Sequence, residues 1–248
     1  MKTGIREQKI ISILESRGEM SVSALSEYLG VSVSTLRKQL ADMQSRKLII
    51  RTYGGVMSAN RFPDETFDSK LHKSVSEKRR IATRARLLVH DGDSISLGSG
   101  TTVYALSNLL DDMDSATIYT NSMQAADFLA HCASLDVHIC GGIIRSATGT
   151  IIGNEAYNFF NGICVDCAFI SCDAIDDEVY SDNIAVAAVE SAVLKNAKRK
   201  YVLCDSSKLG KRSIAHIINL RECDALITGT SDSSVAEKLS YSINVDYV

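Results

Sequence analysis

The sequence predicts an α/β protein in two unequal parts, a small helical module closed by a β-hairpin and a larger domain on a mostly parallel sheet. Three observations predict it. Apolar residues recur at helical spacing three times in the first 46 residues, ahead of a β-branched run that contains two glycines. Periodicity then lapses over residues 58–75, where the only proline, Pro63, stands. Beyond that stretch, short β-rich runs alternate with helical ones, which is how a parallel sheet covered on both faces reads in sequence.

In the first part, Ile5, Ile10, Ile13 and Leu14 mark one helix, ended by Gly18. A second begins after Ser21 and turns Val22, Leu25 and Leu29 inward. Gly30 then permits a tight turn, and Ser32 is placed to cap a third helix running to about Arg46. Helix, helix, glycine turn, helix is the layout of a helix-turn-helix, and LIIRTYGGVM, with Gly54-Gly55 as its hairpin signal, reads as a wing. The expected domains are therefore a winged helix-turn-helix over 1–57, a linker over 58–75 and a larger domain over 76–248.

In that larger domain SISL (94–97), ATIYT (116–120), DVHIC (136–140), CAFIS (167–171), KYVLC (200–204) and DALIT (224–228) read as strands. Helices are expected near 77–89, 101–110, 122–131, 184–197 and 232–239. The whole is a Rossmann-like α/β domain. No run of about 18 apolar residues suggests a membrane span, and the charged start MKTGIREQKII does not suit a secretory signal, so a soluble, cytoplasmic chain is expected. The seven cysteines are an odd set lying mostly in apolar runs, so neither disulfides nor a metal at Cys164-x-x-Cys167 is expected.

Charge is divided unevenly. Residues 1–60 carry nine Lys or Arg against five acids, a balance of +4; with the whole chain at -3, the remainder stands at -7. A basic small domain on an acidic large one suits a polyanion at one end only. If Leu36, Leu40 and Met43 face the core, Ser34 and Lys38 point outward with Arg37 at the flank. Lys and Arg donate to guanine edges and Ser to several bases, so this face fits a major groove. Ser32 and Thr35 stand at the helix start, where amides are free for a phosphate, and Arg51, Tyr53, Gly54 and Gly55 form the wing. Taken singly, each of these residues also fits a solvated helix face; together they point to double-stranded operator DNA.

The larger domain carries Gly98-Ser99-Gly100-Thr101-Thr102 between an expected strand and helix. Glycines let backbone approach an anion and hydroxyls donate to it, so a phosphate is expected there. There is no G-x-x-x-x-G-K-[ST], no third glycine of a dinucleotide fingerprint and no ribose-binding acid after the next strand. These motifs are thus excluded, and neither a nucleoside triphosphate, NAD nor another cofactor is expected. Asn121 and Ser122, Gly141 and Gly142 with Arg145, Asp173 with Asp176, and Lys208 follow successive strands and suit a sugar bearing a phosphate. A plain strand-helix turn is the alternative for the glycine run, and an ordinary loop residue for Arg145 or Asp176.

VSALSEYLGVSVSTLRKQLADMQSRKLIIRTYGGV, with EKRRIA, LGSGTT, TNS, GGIIR and DSSK further on, resembles the DeoR family of transcriptional regulators. That family more commonly has Arg-Arg-Asp where this chain has Arg37-Lys38-Gln39, His in place of Tyr53 and Asp in place of Gly98. The resemblance implies an effector domain similar in fold to ribose-5-phosphate isomerase. It implies a homo-oligomer, dimer or tetramer, that represses a carbohydrate operon until a phosphorylated sugar binds.

A second reading is a sugar-phosphate isomerase with an added domain. Proton transfer between sugar carbons needs a carboxylate base, and Asp173 and Asp176 resemble the isomerase's D-x-x-D acids. The Lys-Gly-rich segment that follows those acids in the isomerase is replaced here by DEVYSDNIAVAAVE, so no enzyme is expected. An architectural DNA binder without an effector is a third, weaker reading.

Overall fold

The computed structural model describes residues 3–17, 20–46, 48–51, 55–58, 65–229 and 244–248. The chain divides into two compact units, Met1–Glu65 and Thr66–Val248.

In the first unit α1 (Thr3–Arg17), α2 (Val22–Leu29) and α3 (Val33–Ser45) enclose Ile10, Ile13, Leu14, Leu25, Leu36, Leu40 and Met43. Ser21 caps α2 by accepting the Ala24 N–H at 3.2 Å, and Ser32 caps α3 by accepting that of Thr35 at 3.3 Å. Between them Gly30 adopts φ 65°, a left-handed conformation that strains any residue with a Cβ. β1 (Ile49–Arg51) and β2 (Val56–Ser58) pair antiparallel, with Arg51 opposite Val56. Met20 and Val56 exchange hydrogen bonds of 3.0 and 2.8 Å, which ties the hairpin to the start of α2. Gly55 is needed for that tie, because a Cβ on it would run into the Met20 backbone.

The stretch 58–75, expected as linker, contains α4 (Phe67–Leu71), and α4 belongs to the second unit. Five residues are too few for a 3.6-residue period to register. Thr66 caps α4, the Phe67 N–H donates to the Ala147 carbonyl at 2.9 Å, and the Phe67 ring meets Tyr104 edge-on.

The main sheet has seven strands: β3 (Ser94–Leu97), β4 (Ala116–Thr120), β5 (Leu135–Ile139), β8 (Val165–Ser171), β11 (Ala197–Cys204), β13 (Ala225–Thr228) and β14 (Val245–Tyr247). Their order is β14-β13-β11-β8-β3-β4-β5, and every pairing is parallel. β8 shows how both faces are covered. Cys167 and Phe169 pack with Ile81 and Ala85 of α5 (Val75–Arg86) and Val103 and Leu106 of α6 (Thr101–Ser107). Ala168 and Ile170 pack with Phe160 of α8 (Asn154–Asn161) and Val189 and Val193 of α9 (Ile184–Lys195). From β3 the chain winds outward through β4 and β5, then returns to β8 and winds the other way. The crevice between β3 and β8 is thus the switch point at which such sheets take ligands.

Several small elements were not expected: α8, a hairpin of β6 (Ile143–Arg145) and β7 (Thr150–Ile152), and an antiparallel sheet of β12 (Ala215–Asn219), β10 (Glu178–Ser181) and β9 (Ala174–Ile175). Strands of two to five residues offer little alternation to read. α7 (Met123–Leu129) follows β4. The expected helix at 232–239 lies outside the described residues. Among the described residues, no helix is long and apolar enough to cross a membrane, and no cluster of three or more His, Cys, Asp or Glu could hold a metal.

Candidate functional site

In the first unit the inward triplet of α3, Leu36, Leu40 and Met43, is fully buried, while Ser32, Ser34, Thr35, Arg37 and Lys38 are exposed. Neither Arg37 nor Lys38 has a side-chain ion-pair partner among the described residues. The Ser32 hydroxyl is engaged locally, accepting from the Thr35 N–H and contacting the Thr35 hydroxyl at 2.8 Å, so it orders the helix start. Arg51 reaches from β1 to donate to the Arg37 carbonyl at 3.2 Å, which joins wing and recognition helix. Arg46 pairs with Glu7 of α1 and Asp42 of α3, both at 2.7 Å, and links the end of α3 to α1. Tyr53 and Gly54, expected at the wing, lie outside the described residues.

In the second unit the loop 98–102 follows β3 into the crevice. Gly100 has φ 99°, and a Cβ there would strike the Ser171 hydroxyl, which itself donates to the Ser99 carbonyl at 2.9 Å. The loops after β3 and β8 are thereby in contact. Ser99, Thr101, Thr102, Asn121 and Ser122 are all buried. Ser99 donates through its N–H at 2.9 Å and its hydroxyl at 2.7 Å to one carboxylate oxygen of Glu190, and the Asn121 amide donates to the same oxygen at 3.3 Å. Glu190, on α9, was not anticipated from the sequence. The signal was present: a single acid inside IAVAAVESAVL, apolar all round, has no solvated face to occupy. Burial pushes its carboxyl up to about 7, against the hydrogen bonds from Ser99 and Asn121.

Ser122 caps α7 by accepting the Ala125 N–H, and the loop after β4 is hooked by the β6–β7 hairpin, with Ile151 N–H donating to the Asn121 carbonyl at 2.7 Å. Gly141 faces open space; Gly142 has φ 139° and lies against the Ile152 backbone, so this pair shapes the hairpin. Arg145 extends from that hairpin and its charge acts on Asp182.

Asp173 follows β8. Lys70 of α4 pairs with it at 2.7 Å, and the Ser181 hydroxyl and Asp182 N–H donate to its other oxygen. Burial opposes the charge, yet Lys70 and these donors hold the carboxyl below the usual carboxylate range. Asp182, beside it, is pushed up by burial and by Asp173. Lys70 is the second residue missed, because it lies 103 positions from its partner. Asp176 turns to Arg212, which holds its carboxyl low in spite of burial. Lys208, in the 3-10 turn Ser206–Lys208 after β11, is partly buried and its ammonium has no partner among the described residues. The thiols of Cys172 and Cys204, which follow β8 and end β11, meet at 3.4 Å. A cleft of about 550 Å³ lies beside α4, α7 and the hairpin, lined by Phe67, Gln124 and Ile144, but by none of the expected effector residues.

A winged helix-turn-helix with an exposed basic recognition helix, followed by a doubly wound sheet with polar loops at its switch point, defines a DNA-binding transcriptional regulator with a sensor domain. Residues 6–62 match the model of the DeoR-like helix-turn-helix domain and residues 73–230 that of the DeoR C terminal sensor domain, and the chain belongs to the DeoR family. It is similar to the lactose phosphotransferase system repressor of Streptococcus mutans, 30% identical over 97% of both chains. It is also similar to the glycerol-3-phosphate regulon repressor of Haemophilus influenzae, 28% identical over 96% of this chain and 94% of the other. Among solved structures, ribose 5-phosphate isomerase A of Methanocaldococcus jannaschii aligns with 53% of this chain and 52% of its own, at 23% identity and a TM-score of 0.38.

Proposed function

We propose that the chain represses a carbohydrate operon by gripping its operator through α3 and the wing, and that a phosphorylated sugar in the crevice loosens that grip. The observation that carries the effector half is the partly buried Lys208 ammonium, without a partner among the described residues, at the carboxyl end of β11, in the same row of loop ends as 98–102, 121–122 and 173. A partly buried cation with no counter-ion among the described residues is open to an anionic ligand. The names of the relatives, a lactose phosphotransferase system repressor and a glycerol-3-phosphate regulon repressor, point to the same chemical class. Base reading is assigned to Ser34, Arg37 and Lys38, and backbone contact to Arg51 and the wing. The effector residues are 98–102, Asn121, Ser122, Arg145, Asp173 and Lys208, with Gly141 and Gly142 shaping the hairpin that carries Arg145. The protein works in the cytoplasm as a homo-oligomer on repeated half-sites.

Thermal-shift screening against a panel of sugar phosphates tests the crevice. A ligand at 100 times its Kd adds about 2.7 kcal/mol of stability, so a true effector raises Tm by several degrees. A panel in which no compound moves Tm would remove the effector half and favour a ligand-independent DNA binder.

The isomerase reading names Asp173 and Asp176 as its acids. Asp173 is committed to Lys70 and Asp176 to Arg212, and both are held below the usual carboxylate range, which makes poor bases of them. Incubation with ribose 5-phosphate is expected to yield no ribulose 5-phosphate above background; turnover would reinstate the enzyme.

A further inference from the structure

Glu190 is 1% exposed, no cationic side chain among the described residues pairs with it, and its neighbours include a second acid. One oxygen accepts all three donors, the Ser99 N–H, the Ser99 hydroxyl and the Asn121 amide. Among the described residues the other oxygen has no hydrogen-bond partner, and neither has the carbonyl oxygen of Asn121. That second Glu190 oxygen fills the space a side chain on Gly98 would need. A buried carboxylate with an unmatched oxygen and no counter-ion is costly, and a proton is the simplest thing that removes the charge.

We propose that Glu190 is the positioning residue of the effector crevice and that it takes up a proton as an anionic ligand enters. The inference rests on the effector reading given above. Ionised, Glu190 draws the donors of Ser99 and Asn121 to itself, and its charge repels an incoming anion. With a proton from solvent on one of its oxygens it holds those donors less strongly, and they become available to a phosphate or sulfate group. No bond in the ligand changes; the only transfer is that proton.

The surroundings support this exchange. Asp173, in the loop after β8, adds repulsion that favours the protonated form, and is itself paired with Lys70. The Cys140 thiol, after β5, is pushed up to about 12 by burial and stays neutral, as does the Cys204 thiol at the end of β11, raised by its contact with Cys172 and by burial. The other elements packed about α9 turn apolar side chains into the same core: Ile151 of β7, Phe160 of α8, Ile170 of β8, Val179 of β10 and Ile217 of β12. Burial holds Glu190 up to about 7, so the exchange falls within the range a cell visits.

The test uses the full chain and sulfate, which keeps its charge between pH 5.5 and 8.5 whereas phosphate does not. In ligand-free protein the Ser99 amide resonance is expected to titrate with a midpoint near 7, and to stay flat in Glu190→Gln, whose amide can still accept from Ser99. In Ser99→Ala, which removes one donor to the ionised carboxylate, the Asn121 side-chain amide is expected to titrate with a higher midpoint. Sulfate affinity, read from the 98–102 amides, is expected to fall several-fold from pH 6 to pH 8 in the natural chain and to be level in Glu190→Gln. A Ser99 amide that does not titrate, or a sulfate affinity independent of pH, overturns the proton exchange alone. Sulfate that perturbs loop 98–102 at no pH overturns the effector reading beneath it.

Discussion

Lys70 reaches Asp173 at 2.7 Å across 103 residues of sequence, from the first helix of the sensor unit to the loop after β8. The same helix seats Phe67 on Tyr104 of α6, which follows loop 98–102, and the Lys70 carbonyl accepts from the Lys78 ammonium at 2.5 Å. α4 is therefore held by the very loops to which the effector is assigned, and a ligand that competes for Asp173 or shifts α6 disturbs its seat. A population shift of this kind is limited by the differential affinity of the ligand for the two arrangements.

Lys70→Ala leaves Asp173 mostly buried without its cation. The expected loss is about 1–2 kcal/mol of stability, below the roughly 3–5 kcal/mol of a fully buried pair because both side chains retain some solvent contact. Asp173 is held low in the native state, so its contribution is present above the ordinary carboxylate pKa and lost as pH falls through the lowered value. Denaturant melts at a series of pH values from 7 downward check this: the variant should be weaker at pH 7, and the gap to the natural chain should close only as pH falls through the lowered Asp173 value.

Glu190 has the opposite sign. Its carboxyl is raised from 4.5 to about 7, so the native state binds the extra proton between these values and stability falls as pH rises through that window, then levels above it. One pKa unit corresponds to about 1.4 kcal/mol, so the fall is of the order of a few kcal/mol. Glu190→Gln should abolish that segment of the stability-pH curve. A curve of unchanged shape would mean that Glu190 is ionised throughout.

Lys38→Ala should cost about 1–3 kcal/mol on the operator and relax preference at one base position, as expected for a side chain that reads a base edge. Fluorescence anisotropy against single-base operator variants measures both. Equal weakening on every sequence would make Lys38 a phosphate contact instead.

Gly55→Ala forces a Cβ against the Met20 backbone and should destabilise the first unit by about 1–3 kcal/mol, the range for overpacking. Amide exchange at Met20 and Val56, which bond one another, should quicken while amides of β8 and β11 keep their protection. Unchanged exchange at Val56 would show that the hairpin yields freely.

Local signals made much of this legible from sequence. Ser21, Gly30 and Ser32 announce the turn because caps and left-handed glycines are chosen by the residues beside them. The parallel strands announce themselves because burial on both faces demands runs such as CAFIS. Lys70 and Glu190 lay beyond that reach for the same physical reason. Each earns its role from a partner distant in sequence, and each stands in an element whose periodicity says nothing of it, α4 by being short and α9 by being apolar on every side. The antiparallel β9–β10–β12 sheet was missed because β9 and β10 are only two and four residues long and β12 joins β10 from some 35 to 40 residues away.

The most direct measurement is the affinity of the full chain for its own promoter DNA, with and without each member of a sugar-phosphate panel, repeated with Thr101→Ala. A coupling of about 1–3 kcal/mol is usual between such sites, so at least one compound should change the Kd about 5- to 150-fold. Thr101→Ala should blunt that change while leaving ligand-free DNA binding intact. A promoter Kd that no sugar phosphate alters, or a full response in Thr101→Ala, would contradict control through the 98–102 loop.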